Sequence, residues 1–330
     1  MKAIVSFVVV LVLVAVAYAG VAVANLRPLF GVVIPYAAFT IFVVGMVLRI
    51  MKWASSPVPF RIPTTTGQQK SLSWIKDSKI ESPSTGLGVI VRMALEVLFF
   101  RSLFRNLKTQ QYEGGRVAYG EAKWLWLAGL AFHYSFAIVL FRHLRFFIEK
   151  VPASIQLAEG LDSFLQIGAP LLYLTDVVLI AAVTYLFIRR VAISQVKYIS
   201  LIADYFPLFL ILGIAVTGVL MRYFTKTDIV GVKMLAIGLI SFKPTVPDTI
   251  GVMFFIHLFL LSVLFAYFPL SKLVHMGGVF LSPTRNLANN SRMKRHTNPW
   301  NYPVHVHTYD EYENDFRDKM KEAGIPVEKE

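Results

Sequence analysis

Four of the chain's seven histidines lie in two long apolar stretches. His133 and His143 are ten residues apart in the run from Lys123 to Phe147, KWLWLAGLAFHYSFAIVLFRHLRFF. His257 and His275 are eighteen apart, in a run that starts near Thr249 and continues past Leu273. A titratable ring is costly inside a bilayer and marks a functional site by default. Neutral imidazole is a strong axial ligand for haem iron. Two histidines on each of two helices therefore point to two stacked b-type haems, held between facing helices of a bundle. The competing chemistry is haem-free: the rings bridge helices or relay protons in a transporter or scaffold subunit.

Ten residues of helix rise about 15 Å and eighteen about 27 Å, the latter being five full turns, so His257 and His275 are expected on one face. The midpoint of those lengths, about 21 Å, puts one haem near each side of a bilayer. Pro269 interrupts the helix between His257 and His275 and is placed to absorb the inequality. Haem propionates call for cations. Arg142 and Arg145 flank His143, and Lys272 stands three residues before His275, at the depth of Arg189 and Arg190. Basic residues at helix ends also snorkel without any ligand, and the sequence leaves both roles open.

The elements that must position these residues are membrane spans. Hydrophobic residues make up 56% of the chain and charged ones 16%, a balance rare in soluble domains. Six spans of about 20 residues are expected, at 3–25, 29–50, 123–147, 169–190, 200–222 and 249–272. The fold class is therefore an all-α membrane protein with six transmembrane helices. The first run also has features of a secretory signal, Lys2 and the small-residue site Ala17-Tyr18-Ala19, but its length favours a retained anchor. Gly86–Leu107, broken by Arg92, Glu96, Arg101 and Arg105, reads as a helix in the inner interface, and Ile229–Phe242 as a short helix at the outer surface.

Cysteine is absent, which excludes disulfides, thiolate metal sites and iron–sulfur ligation by this chain. With no C-x-x-C-H, any haem is held non-covalently, and any cluster belongs to a partner. The net charge of +13 is assigned to cytoplasmic loops and not to nucleic acid. Residues 51–122 hold ten Lys and Arg against five acids, and the first half of the tail is basic at Arg285, Arg292, Lys294 and Arg295. Both regions are expected in the cytoplasm, with both termini. Lys226, Lys233 and Lys243 fall outside, against the trend. On this topology the helix with His133 and His143 runs inside to outside, and the last runs back. His143 then pairs with His257 at the outer side, and His133 with His275 at the inner side. His296, His305 and His307 lie in the tail. His305-Val306-His307 offers a metal chelate, but a solvent-facing segment is expected, with no acid or cysteine taken as its partner.

The spacings His-x9-His and His-x17-His resemble those of the respiratory nitrate reductase gamma subunit family, quinol-oxidising dihaem cytochromes b. The likeness covers roughly 29–280. The run Asn298-Pro299-Trp300-Asn301-Tyr302-Pro303, with Val304-His305-Val306-His307-Thr308-Tyr309-Asp310-Glu311-Tyr312-Glu313, resembles more narrowly the DsrM-type cytochrome b subunits of heterodisulfide-reductase-like, menaquinol-oxidising complexes in dissimilatory sulfite reduction. The resemblance implies two haems b, with His143 and His257 holding the outer and His133 and His275 the inner. It implies menaquinol as substrate at the outer side of the cytoplasmic membrane. Its implied partners are a cytoplasmic iron–sulfur subunit, a multihaem cytochrome c, an outer iron–sulfur protein and a second membrane subunit. It divides the chain into an added anchor at 1–28, a dihaem domain at 29–280 including the loop 51–122, and a charged cytoplasmic tail at 281–330. The loop and the anchor depart from the nitrate reductase pattern. Asp176, about 10 Å from the outer end of the fourth span, is a candidate to take protons from quinol. Its alternative role is a hydrogen bond to Tyr173, Thr175 or a neighbouring helix. Lys150 is a further candidate, as are Glu149, Glu159 and Asp162.

Overall fold

The computed structural model describes residues 1–56, 67–105, 108–120, 122–165, 171–282, 285–294 and 303–329. Arg295, His296 and the run Asn298 to Tyr302 lie outside them.

Long apolar sequences become long helices. Helix α1, Lys2–Tyr18, continues as a wider π-helical turn to Val23. A second π-helical turn, Leu29–Val33, leads into α2, Ile34–Ala54. Arg27, in the connection, donates from Nη1 to the Asp248 carbonyl at 2.8 Å and so ties it to the loop before the last long helix. After α2 the chain forms α3, Gly86–Phe99, and α4, Arg101–Phe104. The expected interfacial helix is therefore two, divided at Phe100, whose φ of 49° turns the chain. A hairpin follows, β1 Lys108–Gln111 with β2 Val117–Gly120, and then α5, Lys123–His143.

Beyond α5 lie α6, Ala153–Asp162, a small ladder of β3 Ser163–Leu165 with β4 Leu172–Tyr173, and α7, Leu174–Ala192. The last third holds α8 Ser194–Ile199, α9 Ile202–Tyr223, α10 Ile229–Ile240, α11 Val252–Tyr267, the turn α12 His275–Gly278 and, in the tail, α13 Tyr309–Glu322. The fold is the expected all-α membrane architecture, with two short strand pairs added among the described residues.

Among the described residues five helices are long and apolar enough to cross a membrane: Lys2–Val23, Leu29–Ala54, Lys123–Phe146, Ile202–Tyr223 and Val252–Leu270. The expected fourth span corresponds to α7. It has 19 residues but carries Asp176 in its first turn and Arg189 and Arg190 in its last. Its packing is that of a bundle member, against both α5 and α9. Helix α1 lies on α9 and α11, and α2 lies on α11. The shared core draws on four of these helices, with Val10, Leu179, Val183, Leu210, Phe255 and Leu260 all buried.

Pro269 has a larger effect than expected. Regular helix stops at Tyr267, a tight turn runs through Phe268–Leu270, and Ser271 is extended before the chain coils again at Lys272–Val274. His275 therefore leads a separate short turn, and the five-turn register with His257 does not hold. Helix α2 reaches this corner through Gly45: a Cβ there would lie 2.6 Å from the Pro269 ring. Only glycine leaves room for the proline ring against this helix.

Asp228 caps α10. Its Oδ1 accepts from the Val230 and Gly231 N–H groups, and its Oδ2 accepts from the Thr249 hydroxyl. The Thr249 hydrogen bond, followed by that from the Gly231 amide, holds this carboxyl below the usual carboxylate range. A depressed folded pKa contributes stability above the unfolded value, which is lost as pH falls through the folded one. Amide exchange at Val230 and Gly231 is therefore expected to accelerate only below the ordinary carboxylate range, and Asp228→Ala, which removes the acceptor, should bring that loss to neutral pH. Exchange measured by mass spectrometry across pH checks it.

Candidate functional site

Helix α5 carries His133 in its middle and His143 at its last residue. Helix α11 carries His257, and the turn beyond Pro269 carries His275. The structure brings His133 and His275 together, with ring centroids 6.0 Å apart and planes at 85°. Two metal–imidazole bonds of about 2 Å each, plus the ring radii, span about that distance. The α3–α4 corner covers this pair. Trp126 Nε1 donates to the Phe99 carbonyl at 2.6 Å and the Tyr134 hydroxyl to the Leu98 carbonyl at 2.8 Å. They dock the corner on α5, and Phe100 meets the His133 ring edge-on at 4.9 Å.

All four rings have Nδ1 engaged. His133 faces the Gly129 carbonyl at 2.8 Å, His143 that of Val139 at 2.7 Å and His275 that of Lys272 at 2.9 Å. A carbonyl accepts only, so each Nδ1 carries the proton. His257 differs. Its Nδ1 lies 2.9 Å from Thr217 Oγ1 on α9, and that hydroxyl has its own acceptor in the Gly213 carbonyl at 2.8 Å. The relay sets the same tautomer through a neighbouring helix. No described residue hydrogen-bonds Nε2 of any of the four. A donated Nδ1–H with a free Nε2 is the usual state of a metal-bound histidine, and this donor set suits bis-imidazole ligation of haem iron.

The three cations expected near propionates are each paired with a carboxylate. Lys272 Nζ donates to Asp204 Oδ1 at 2.7 Å, and Arg145 to Glu159 Oε1 at 2.7 Å. Arg142 is buried, and its Nη2 lies 2.7 Å from Asp176 Oδ1 and 3.1 Å from Thr175 Oγ1. Its Nε stands 3.0 Å from Asp162 Oδ2, off the N–H direction. Asp162, equally buried, accepts from the Thr175 N–H at 2.9 Å and hydroxyl at 2.6 Å. Tyr173 lies between two guanidiniums, Arg142 at 3.8 Å and Arg222 at 4.0 Å from its ring centre. Arg142 is thus part of a buried network with Asp162, Asp176 and Thr175.

Asp176 sits in the first turn of α7, nearer the helix end than expected, where Oδ2 also faces the Tyr223 hydroxyl at 3.3 Å. Lys150 is exposed in the turn after α5, and Asp162 closes α6. In the tail, His305, His307 and Glu311 come together with ligand atoms within 4.8 Å of one another. Glu311 is the acidic partner that sequence reading did not give this pair, four residues after His307 at the start of α13. Thr217 was also missed: one threonine in an apolar span, forty residues before His257, carries no local signal.

These features define a multi-pass, mostly helical membrane protein with histidines on two facing elements. Residues 89–296 match the family described as nitrate reductase gamma subunit, and the chain belongs to that family. Two relatives extend the likeness. The chain is 44% identical over 279 residues to the Hdr-like menaquinol oxidoreductase cytochrome b-like subunit of Archaeoglobus fulgidus, covering 82% of this chain and 83% of that protein. It is 40% identical over 274 residues to the protein of the same description from Archaeoglobus profundus, covering 81% of each.

Proposed function

We propose that the chain is the cytochrome b subunit of a menaquinol-oxidising membrane complex of the DsrM type, serving dissimilatory sulfate or sulfite reduction. His143 and His257 hold an outer haem b, and His133 and His275 an inner one. The bound haems supply one-electron redox chemistry. The chain's residues supply ligation, a fixed tautomer and a packed, charge-balanced outer end. Menaquinol gives up its electrons at the outer side of the cytoplasmic membrane, and a cytoplasmic heterodisulfide-reductase-like iron–sulfur subunit receives them. A multihaem cytochrome c, an outer iron–sulfur protein and a second membrane subunit complete the complex. Both termini face the cytoplasm, with 1–28 as anchor, 29–280 as the haem domain and 281–330 as a tail. Asp176, held by Arg142 beside His143, and Lys150 are the proton-handling groups at the quinol side.

The observation that carries this reading is the common state of the four histidines, Nδ1 engaged and Nε2 free, with His133 and His275 at 6.0 Å. The names of the archaeal relatives support the quinol. The test is reduction of the purified chain by a menaquinol analogue, followed in the haem α band. Reduction is expected in the native chain and absent in His143→Ala, with dithionite still reducing the inner haem of that variant. A quinone analogue that shifts neither the spectrum nor the potential of the outer haem would count against the assignment.

Thr217 gives a finer check. Thr217→Val removes the acceptor 2.9 Å from the His257 N–H and makes its ring a weaker donor to iron. Loss of such an outer partner typically weakens metal affinity about 10- to 100-fold. The outer haem is expected to rise in potential and to be lost more readily in detergent, with the inner haem unmoved. Potentiometric titration of both haems reads this, and Thr217→Ser should restore the native values.

A further inference from the structure

We propose that His305, His307 and Glu311 form a binding site for one divalent transition-metal ion of the zinc class, apart from the four membrane histidines. The three ligand atoms lie within 4.8 Å of one another. The two rings stand 5.0 Å apart at 82°. His305 Nε2 is 3.9 Å from Glu311 Oε1, too far for a hydrogen bond. Tetrahedral ligands held about 2 Å from one ion are about 3.3 Å apart, so rotation of these exposed side chains by roughly an ångström closes the set.

Glu311 is already oriented for the task. Its Oε2 accepts the Thr308 N–H at 2.8 Å, and its own N–H donates to Thr308 Oγ1 at 3.3 Å, the reciprocal cap of α13. The cap fixes the carboxylate and leaves Oε1 turned toward His305. An outer hydrogen bond of this kind is what a metal-binding carboxylate usually has. Two imidazoles and one carboxylate suit zinc, iron(II), nickel or copper, and not calcium or magnesium, which want oxygen. The three ligands fall within seven residues, so the loop that an ion closes is short and its entropic cost small. The surroundings are exposed, His305 at 71% of its side-chain surface, so open coordination positions are left to water or to a partner protein.

A bound ion would pin residues 305–307 to the first turn of α13. The middle of that helix is already fixed: Glu313 accepts from the Glu328 N–H at 2.8 Å and the Lys329 N–H at 3.0 Å. The described residues from His305 to Lys329 are then tied to one helix.

The test is calorimetric titration of the untagged, chelator-treated full chain in detergent with zinc chloride. One saturable site per chain is expected. His307→Ala and Glu311→Gln should each weaken it at least tenfold, with haem content and the amide exchange of residues 315–322 unchanged. Absence of saturable binding overturns the proposal, and so does native affinity in the double variant His305→Ala, His307→Ala. The readout does not depend on haem, so its failure is distinct from failure of the cytochrome reading.

Discussion

Arg142→Met is expected to destabilise the protein by roughly 3–5 kcal/mol, the usual cost of removing one partner from a buried ion pair. The guanidinium faces two carboxylates, Asp162 and Asp176, and a hydroxyl, Thr175. Methionine fills similar volume but leaves Asp162, which is buried, with no facing cation at 3.0 Å. It also removes one of the two guanidiniums that enclose Tyr173. The loss falls on the residue preceding His143, at the junction of α5, α6 and α7, so the outer end of α5 should loosen with it. Arg142→Lys keeps the charge but not the planar fork, and should recover only part of the stability. Thermal unfolding in detergent, with haem release followed in the same sample, measures both effects. A near-native midpoint for Arg142→Met would show that the network is incidental.

The second large effect concerns the histidines singly. His133→Ala or His275→Ala should remove the inner haem, and His143→Ala or His257→Ala the outer, each leaving the other in place. The reason is separation along the bundle. His133 and His275 meet directly beneath the Phe100 corner, whereas His257 is held by α9 through Thr217. Low-temperature spectra resolve the two α bands and show which one each variant lacks. The pattern is diagnostic: members of one pair should give the same spectrum, and members of different pairs complementary ones. Equal loss of both bands in every variant would contradict the pairing.

The spans and the histidines were legible in the sequence because both signals are local. An apolar run of bilayer length has one economical structure, and a histidine inside it stands out. What required the structure is non-local or conformational. Asp162 and Asp176 are fourteen residues apart and become neighbours only because α6 and the short β3–β4 ladder fold back on Arg142. The sequence could place Arg142 beside a histidine but could not show that two carboxylates face it. Pro269 was recognised as a disturbance, yet whether a proline kinks a helix or ends it depends on what packs there, and here Gly45 lets α2 close against the corner. Helix α7 reads as a span by length but less clearly by charge, because its basic end and its first-turn Asp176 are paired or lie at the bundle's ends. In the tail, the approach of Glu311 to His305 and His307 becomes visible only once Thr308 is seen to cap a helix and Glu311 to close that cap.

The most direct measurement is the haem content of the purified full chain, by pyridine haemochrome assay with a dithionite-minus-oxidised spectrum. Two non-covalent b haems per chain are expected, the number that four histidines with free Nε2 atoms can hold as axial pairs. A well-folded preparation with no Soret band would contradict this, and would leave the histidines as helix-bridging or proton-relaying groups of a haem-free membrane subunit.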